Sequence, residues 1–236
     1  MTPTAPIHRL KRQARQQARQ EDIPLHAALD RVAAAQGFQS WSHLSAAHPG
    51  MSPADRLAAT LQSGEMILLA ARPGQGKTLL ALEMAARAGT LGRTGHIFTL
   101  DDTEDQVRTR LSGLAVTPAV IDALHIDTSD DISAGHVIAR LAVTPGPALI
   151  VIDYLQQLDQ RRTHPGLEDQ IRRLRDHMTA SGDICLILAQ IHRSFGATGR
   201  DMPGPDDIRL PNPLDLTLFD RAGFLHEGRF VLGPPA

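Results

Sequence analysis

Aromatic side chains are scarce in this 236-residue chain, which has one Trp, one Tyr and six Phe, or 3% of its residues. Stacking platforms for single-stranded nucleic acid need successive aromatic faces, so extensive base stacking is not expected. Cysteine is scarcer still. Cys185 alone lies in the apolar run Ile184-Cys-Leu-Ile-Leu188, where a buried free thiol is expected, as suits a reducing compartment. Long apolar stretches are also missing: Met66–Ala71 falls far short of the ~20 residues a membrane span needs. Met1–Leu10 carries no apolar secretory segment, so a cytoplasmic protein without membrane association is expected. Net charge is small, −2, but unevenly spread, with six Lys/Arg against three Asp/Glu in residues 1–50 and 18 against 23 in the remainder. The amino-terminal piece is basic and the body acidic. The 11 histidines raise the question of a metal site, yet none pairs at zinc-ligand spacing with cysteines or a carboxylate cluster.

What is present describes a globular chain. Hydrophobic content of 42% and charged content of 21% are ordinary. The length suits one α/β domain of about 100–200 residues with a small appendage. The composition divides it into a basic helical segment, residues 1–50, and a larger domain, residues 51–236. In the first, Ile7, Leu10, Ala14 and Ala18 give a thin apolar stripe at helical spacing over Pro6–Arg19. A second helix is expected from Pro24 to Gly37 with Leu25, Leu29 and Val32 on one face. Ser40 has the character of an N-cap for a third, and Phe38, Trp41 and Leu44 supply a shared core. His48–Ala54 reads as a linker by its proline and glycine.

From about residue 55 apolar runs alternate with amphipathic stretches, the pattern of βαβ units and a parallel sheet. Strands are expected at Met66–Ala71, His96–Leu100, Leu124–Ile126, Ala148–Ile152, Ile184–Ala189 and Ala222–Leu225. Thr103 and Gln106 form a capping-box pattern, and Leu167, Ile171, Leu174 and Met178 mark a core-facing stripe. Gly89 and Gly113 are expected helix stops.

The chemistry concentrates after the first of these strands. Ala71-Arg72-Pro73-Gly74-Gln75-Gly76-Lys77-Thr78 fits the phosphate-binding loop G-x-x-x-x-G-K-[ST], with a strand before it and an expected helix, Thr78–Ala88, after it. Backbone N–H groups from Arg72 to Thr78 surround the phosphates of ATP, Lys77 brings charge to the β/γ-phosphates, and Thr78 offers a hydroxyl to Mg²⁺. The helix amino terminus adds partial positive charge. Ala71 replaces the first glycine, a position that tolerates a small side chain.

Other candidates end neighbouring strands. Asp153 closes Ala148–Ile152 and is the expected magnesium carboxylate, acting partly through water. Asp101 closes His96–Leu100 and is the candidate general base, with Glu104 competing. Glu104 also suits a helix N-terminal role. Gln190 follows Ile184–Ala189, where an amide either senses the γ-phosphate or simply closes a strand. Arg193 and Arg200 flank Ser194–Gly199, a glycine-rich loop expected to be mobile and suited to substrate contact or to mere connection.

Taken together, Leu61–Thr78, Leu149-Ile-Val-Ile-Asp-Tyr-Leu-Gln156, Leu188-Ala-Gln-Ile-His-Arg193 and Asp207-Ile-Arg209 resemble the C-terminal motor domain of DnaB-type replicative helicases. The resemblance runs from about Ala54 to Leu225. It implies a RecA-like P-loop NTPase: a central, mostly parallel sheet flanked by helices, here with the small N-terminal helical segment in addition. It also implies a role in DNA replication, assembly as a homo-oligomeric ring or filament, and single-stranded DNA as substrate, with Arg193, Arg200 and Arg209 as nucleic-acid candidates. Lys77, Asp101, Asp153 and Gln190 take the catalytic positions. The family carries glutamate where this chain has Asp101, one methylene shorter, so slow hydrolysis is expected. The family's distal Lys/Arg finger has no counterpart before Ala236, and a short basic segment stands in place of the large helical amino-terminal domain.

These readings converge on an ATP-dependent helicase or translocase. The alternative is a nucleotide-switched regulatory or helicase-loading ATPase that signals through residues 5–47. A small-molecule kinase is disfavoured because no arginine-rich lid is apparent. Arg9, Lys11, Arg12, Arg15 and Arg19 precede the first acidic residue, Glu21, and make the first helix either a solvated face or a contact for DNA or a protein partner.

Overall fold

The computed structural model describes residues 7–21, 23–41, 44, 52–159, 164–210 and 212–235. The chain divides into two compact units, Met1–Arg56 with Glu227–Arg229, and Leu57–His226 with Phe230–Ala236. No helix among the described residues is long and apolar enough to cross a membrane.

In the smaller unit, helices Ile7–Gln20 and Leu25–Ala35 pack through Leu10 and Ala14 on one and Ala28, Val32 and Ala33 on the other. Phe38 and Leu44 complete this core, with Ala18, Leu29 and Trp41 against it. Leu25, expected on the inner face, is instead exposed at 39%. It shares the direction of Val32 but stands in the opening turn, so the small side chains at the next turn make the contact. Residues 42–43 of the expected third helix and 45–51 of the linker lie outside the described residues.

The larger unit is built on a seven-stranded sheet in the order β3-β2-β4-β5-β1-β6-β7. Its strands are β1 (Met66–Ala71), β2 (Thr94–Thr99), β3 (His125–Asp127), β4 (Ala148–Asp153), β5 (Ile184–Gln190), β6 (Arg221–His226) and β7 (Arg229–Gly233). All pairings from β3 through β6 are parallel. β1 and β4 are buried at every residue, which explains their near-continuous apolar sequences, because helices cover both faces of a parallel sheet. One face packs Leu68, Ile150 and Ile187 under Leu167, Ile171, Leu174 and Met178, the stripe expected on the helix Leu167–Ser181. The opposite face receives the P-loop helix, Lys77–Ala86, which packs against β2, β4 and β5.

Two glycine-related details differ from expectation. The P-loop helix ends at Ala86, and Gly89 falls inside a following 3₁₀ turn, Ala88–Leu91, closed by left-handed Gly92 at φ 68°. β7 was not expected at all. It follows a two-residue turn, Glu227-Gly228, in which both residues have positive φ, the geometry that matches the twist of a hairpin. The capping box is present, with Thr103 N–H donating to Gln106 Oε1 at 2.8 Å and Gln106 N–H to Thr103 Oγ1 at 3.3 Å.

Gly95 sets how closely the P-loop helix approaches the sheet. A Cβ there would lie 2.6 Å from the Ala85 carbonyl oxygen and 2.4 Å from Leu124 Cδ2. Only glycine lets the last turn of that helix settle on β2.

Candidate nucleotide site

The carboxyl ends of the central strands bring the predicted residues to one edge. β1 stops at Ala71, whose register partners are Gln190 on β5 and Leu225 on β6, and its burial leaves space for little beyond a methyl group. The chain then turns through Pro73, which is exposed, and Gln75, whose N–H donates to the Arg72 carbonyl at 3.3 Å. Gly74 and Gly76 have φ of +75° and +91°, and a Cβ on either would meet nothing within 4 Å. Their left-handed backbone bends the loop around open space at the start of the P-loop helix, where Gly76 is the N-cap residue. Free N–H groups and the helix dipole suit an anion at that point.

Asp153 meets this loop from β4. It is 6% exposed, accepts from Thr78 Oγ1 at 2.9 Å on Oδ2, and lies 3.2 Å from Lys77 Nζ on Oδ1. Lys77 Nζ also lies 5.8 Å from the centre of the Tyr154 ring. A nearly buried carboxylate must be paired, and here its partners are the two P-loop residues that handle phosphate and metal. The donor set fits Mg²⁺ and a nucleoside triphosphate: hard oxygens from Thr78 and Asp153, a cation from Lys77, and backbone N–H groups from the loop. When bound, the metal would draw charge from the phosphates. The chain's own residues bind and orient them.

Gln190 ends β5 half-buried, and its carbonyl accepts from the Arg209 N–H at 2.7 Å. Ile191 and Ile208 form an antiparallel bridge, and His192 N–H donates to the Asp207 carbonyl at 2.8 Å. Residues 207–209 are therefore clipped directly to the end of the strand that carries Gln190. Within the excursion between them, Phe195 is buried at 2% in a 3₁₀ turn, Arg193–Ala197. The loop expected to be mobile is anchored there, because Phe195 packs edge-on against His226 with ring centres 5.1 Å apart. Arg200 pairs with Asp207 and stacks 5.3 Å from the Phe195 ring centre. Arg193 and Arg209 are exposed. Arg72 leans over this turn: a Cβ on Gly196 would stand 2.5 Å from its Nη1.

The carboxylates after β2 separate. The strand ends at Thr99, one residue earlier than expected, and Asp101 is exposed in the bend that follows. Burial raises the pKa of the Tyr154 phenol, and the negative charge of Asp101 raises it further, so Asp101 lies within electrostatic reach of the Asp153–Tyr154 corner. Glu104 turns to Arg108 at 2.9 Å, one helical turn on. Asp102, not among the residues expected from sequence, points inward with a side chain 9% exposed and pairs with Arg110 at 2.7 Å. Thr99, also not expected, sits opposite Asp153 in the β2–β4 register. A hydroxyl in an otherwise apolar strand was the available signal.

Solved structures share this architecture. One, described as the ATPase domain of a larger protein, superposes with a TM-score of 0.57 at 18% identity, covering 70% of each chain. The fold is RecA-like. A DnaB-like replicative helicase, described with its interactions with primase, shares the RecA-like unit at a TM-score of 0.54 and 18% identity, covering 69% of this chain and 47% of that one. The KaiC-like protein PH0186 from Pyrococcus horikoshii OT3 gives 0.52 at 16% identity, covering 68% and 70%. In sequence, residues 47–120 match the family described as DnaB-like helicase C terminal domain, in keeping with the resemblance carried by the motifs. Relatives named DNA repair protein RadA, from two strains of Mycobacterium tuberculosis, are 27% identical over 191 residues, 77% of this chain. The chain spans 38% of the length of these curated relatives.

Proposed function

We propose that the chain binds and hydrolyses ATP with Mg²⁺ at the Gly74–Thr78 loop, and that hydrolysis drives a DnaB-like helicase or translocase on single-stranded DNA. The observation that carries the nucleotide site is the convergence of Lys77 and Thr78 on Asp153 at 3.2 and 2.9 Å beside an open, left-handed glycine loop. In this reading Lys77 neutralises developing phosphate charge, Thr78 and Asp153 hold the metal, Asp101 takes a proton from the attacking water, and Gln190 reads the γ-phosphate. The clip between Gln190 and Arg209 supports a path from that amide to the arginine-bearing excursion, where Arg193, Arg200 and Arg209 would meet phosphates of the strand. The RadA name and the replicative-helicase neighbour are in keeping with work on DNA. A homo-oligomer, ring or filament, and a DNA or protein contact through the basic first helix belong to the same proposal, as does a cytoplasmic location.

One observation favours a second reading, a nucleotide-switched regulatory or loading ATPase. Asp101 is short and exposed beyond the strand end, which suits slow turnover. Titration of the full chain with a fluorescent ADP analogue in Mg²⁺, beside Lys77→Ala, tests the site. Saturable binding by the native chain, weakened at least about tenfold by loss of the lysine charge, is expected. Equal affinity in a folded Lys77→Ala protein would remove the site from this loop.

A further inference from the structure

Behind Asp153 lies a second group of polar atoms that the nucleotide site described above does not use. Thr99 is paired with Asp153 in the β2–β4 register, so both side chains leave the same face of the sheet on adjacent strands. Thr99 is 2% exposed, and its Oγ1 has no hydrogen-bond partner among the described residues. A buried hydroxyl left alone is unfavourable, and valine would fill the same volume without that cost. The hydroxyl calls for a partner. Its surroundings indicate which kind: Thr99, Thr78, Asp153 and Asp102 line one small cavity of about 10 Å³, with aliphatic side chains such as Leu82 and Val107 closing the rest. That is room for about one water, with several polar groups to hold it. Arg110 pairs with Asp102 Oδ1 at 2.7 Å and holds the carboxylate turned inward.

Resting on the reading of this loop as a magnesium–nucleotide site, we propose that Asp102 and Thr99 form the rear wall of the metal site and position, through water, the cation that Thr78 and Asp153 ligate. The two successive aspartates then divide the work. Asp101, exposed at the mouth, is left to the attacking water. Asp102, enclosed and braced by Arg110, adds a second carboxylate to the cation's surroundings, and one or two carboxylates is the usual complement where phosphates supply the remaining ligands. Thr99 orients the intervening water by accepting or donating on the side away from the metal. Asp102 and Thr99 are positioning residues: they touch neither nucleotide nor reacting atoms.

The test is a Mg²⁺ titration of fluorescent ADP binding to the full chain, which reads metal affinity without turnover. Loss of an outer partner typically weakens a metal site about 10- to 100-fold. Asp102→Asn is therefore expected to raise the Mg²⁺ concentration for half-saturation about tenfold. Thr99→Val should raise it in the same direction, and both should leave ADP affinity in EDTA unchanged. Asp102→Glu, which keeps the charge, should restore most of the metal dependence and serves if the asparagine variant does not fold. Arg110→Gln separates a structural effect, since it breaks the ion pair but keeps the carboxylate, and should leave half-saturation unchanged or lower. Unchanged half-saturation in Asp102→Asn and Thr99→Val, or an equal loss in Arg110→Gln, would overturn the proposal. Failure of the native chain to bind the ADP analogue at all would instead remove the nucleotide site on which the proposal stands.

Discussion

Thr78 Oγ1 and Asp153 Oδ2 lie 2.9 Å apart although 75 residues separate them in sequence. The contact exists because β4 runs parallel to β5, which runs parallel to β1, so the ends of β1 and β4 open on the same edge. The hydroxyl and the carboxylate are those a magnesium ion would share. Asp153→Asn keeps the shape and removes the charge. It should weaken Mg²⁺-dependent ADP binding by more than about tenfold while circular dichroism and melting stay near the native values. An unchanged metal titration would count against Asp153.

The exposed position of Asp101 makes its role separable from that of Glu104, which is held by Arg108. Asp101→Asn should lower ATP turnover by about 10²–10⁴-fold, the ordinary contribution of a general base. Asp101→Glu should raise turnover, because the longer side chain carries the carboxylate further toward the nucleotide. Glu104→Gln should change little. Normal turnover in Asp101→Asn together with loss in Glu104→Gln would reverse the assignment.

His96 ties stability to pH. Burial, and then the neighbouring His125, lower its pKa from 6.5 to about 4, and the two rings stack with centres 4.5 Å apart. A group whose folded pKa is lowered binds its proton more readily in the unfolded chain. Its contribution is complete above about pH 6.5 and is lost as pH falls toward about 4. The loss is on the order of 3 kcal/mol. Urea unfolding across this range should show stability falling with acid, and His96→Gln should flatten that dependence. A slope unaltered by the substitution would assign the acid sensitivity elsewhere.

Much of this arrangement was legible in the sequence. The P-loop, Asp153 and Gln190 were found because a strand end followed by a polar residue is a local pattern. The buried stripe Leu167–Met178 was found because helical period is local too. Asp102 was passed over because inward or outward aim after a strand depends on the bend at Leu100–Asp102 and on Arg110, a helix away. β7 was missed because its turn, Glu227-Gly228, depends on backbone angles that glutamate adopts only in context. The loop around Phe195 reads as mobile from its glycines because its anchor, His226, comes from a distant strand.

Gly95 offers a test of the packing beneath the site. An added methyl would press on the Ala85 carbonyl at 2.6 Å, and backbone there cannot move without shifting the P-loop helix. Gly95→Ala should cost about 1–3 kcal/mol, the usual range for overpacking, read as a lower urea midpoint at unchanged slope. It should also weaken ADP binding, since the same helix carries Lys77 and Thr78. A variant as stable as the native chain would show that this close approach is relieved elsewhere.

The most direct test of the whole account is ATP turnover by the full chain in Mg²⁺, with and without single-stranded DNA. A motor couples hydrolysis to its track through the clip between Gln190 and Arg209, so turnover should be low alone, rise several-fold with single-stranded DNA, and vanish in Lys77→Ala. Turnover that DNA leaves unchanged, in a chain that binds ADP tightly through Lys77, would contradict the motor and favour the nucleotide-switched regulator.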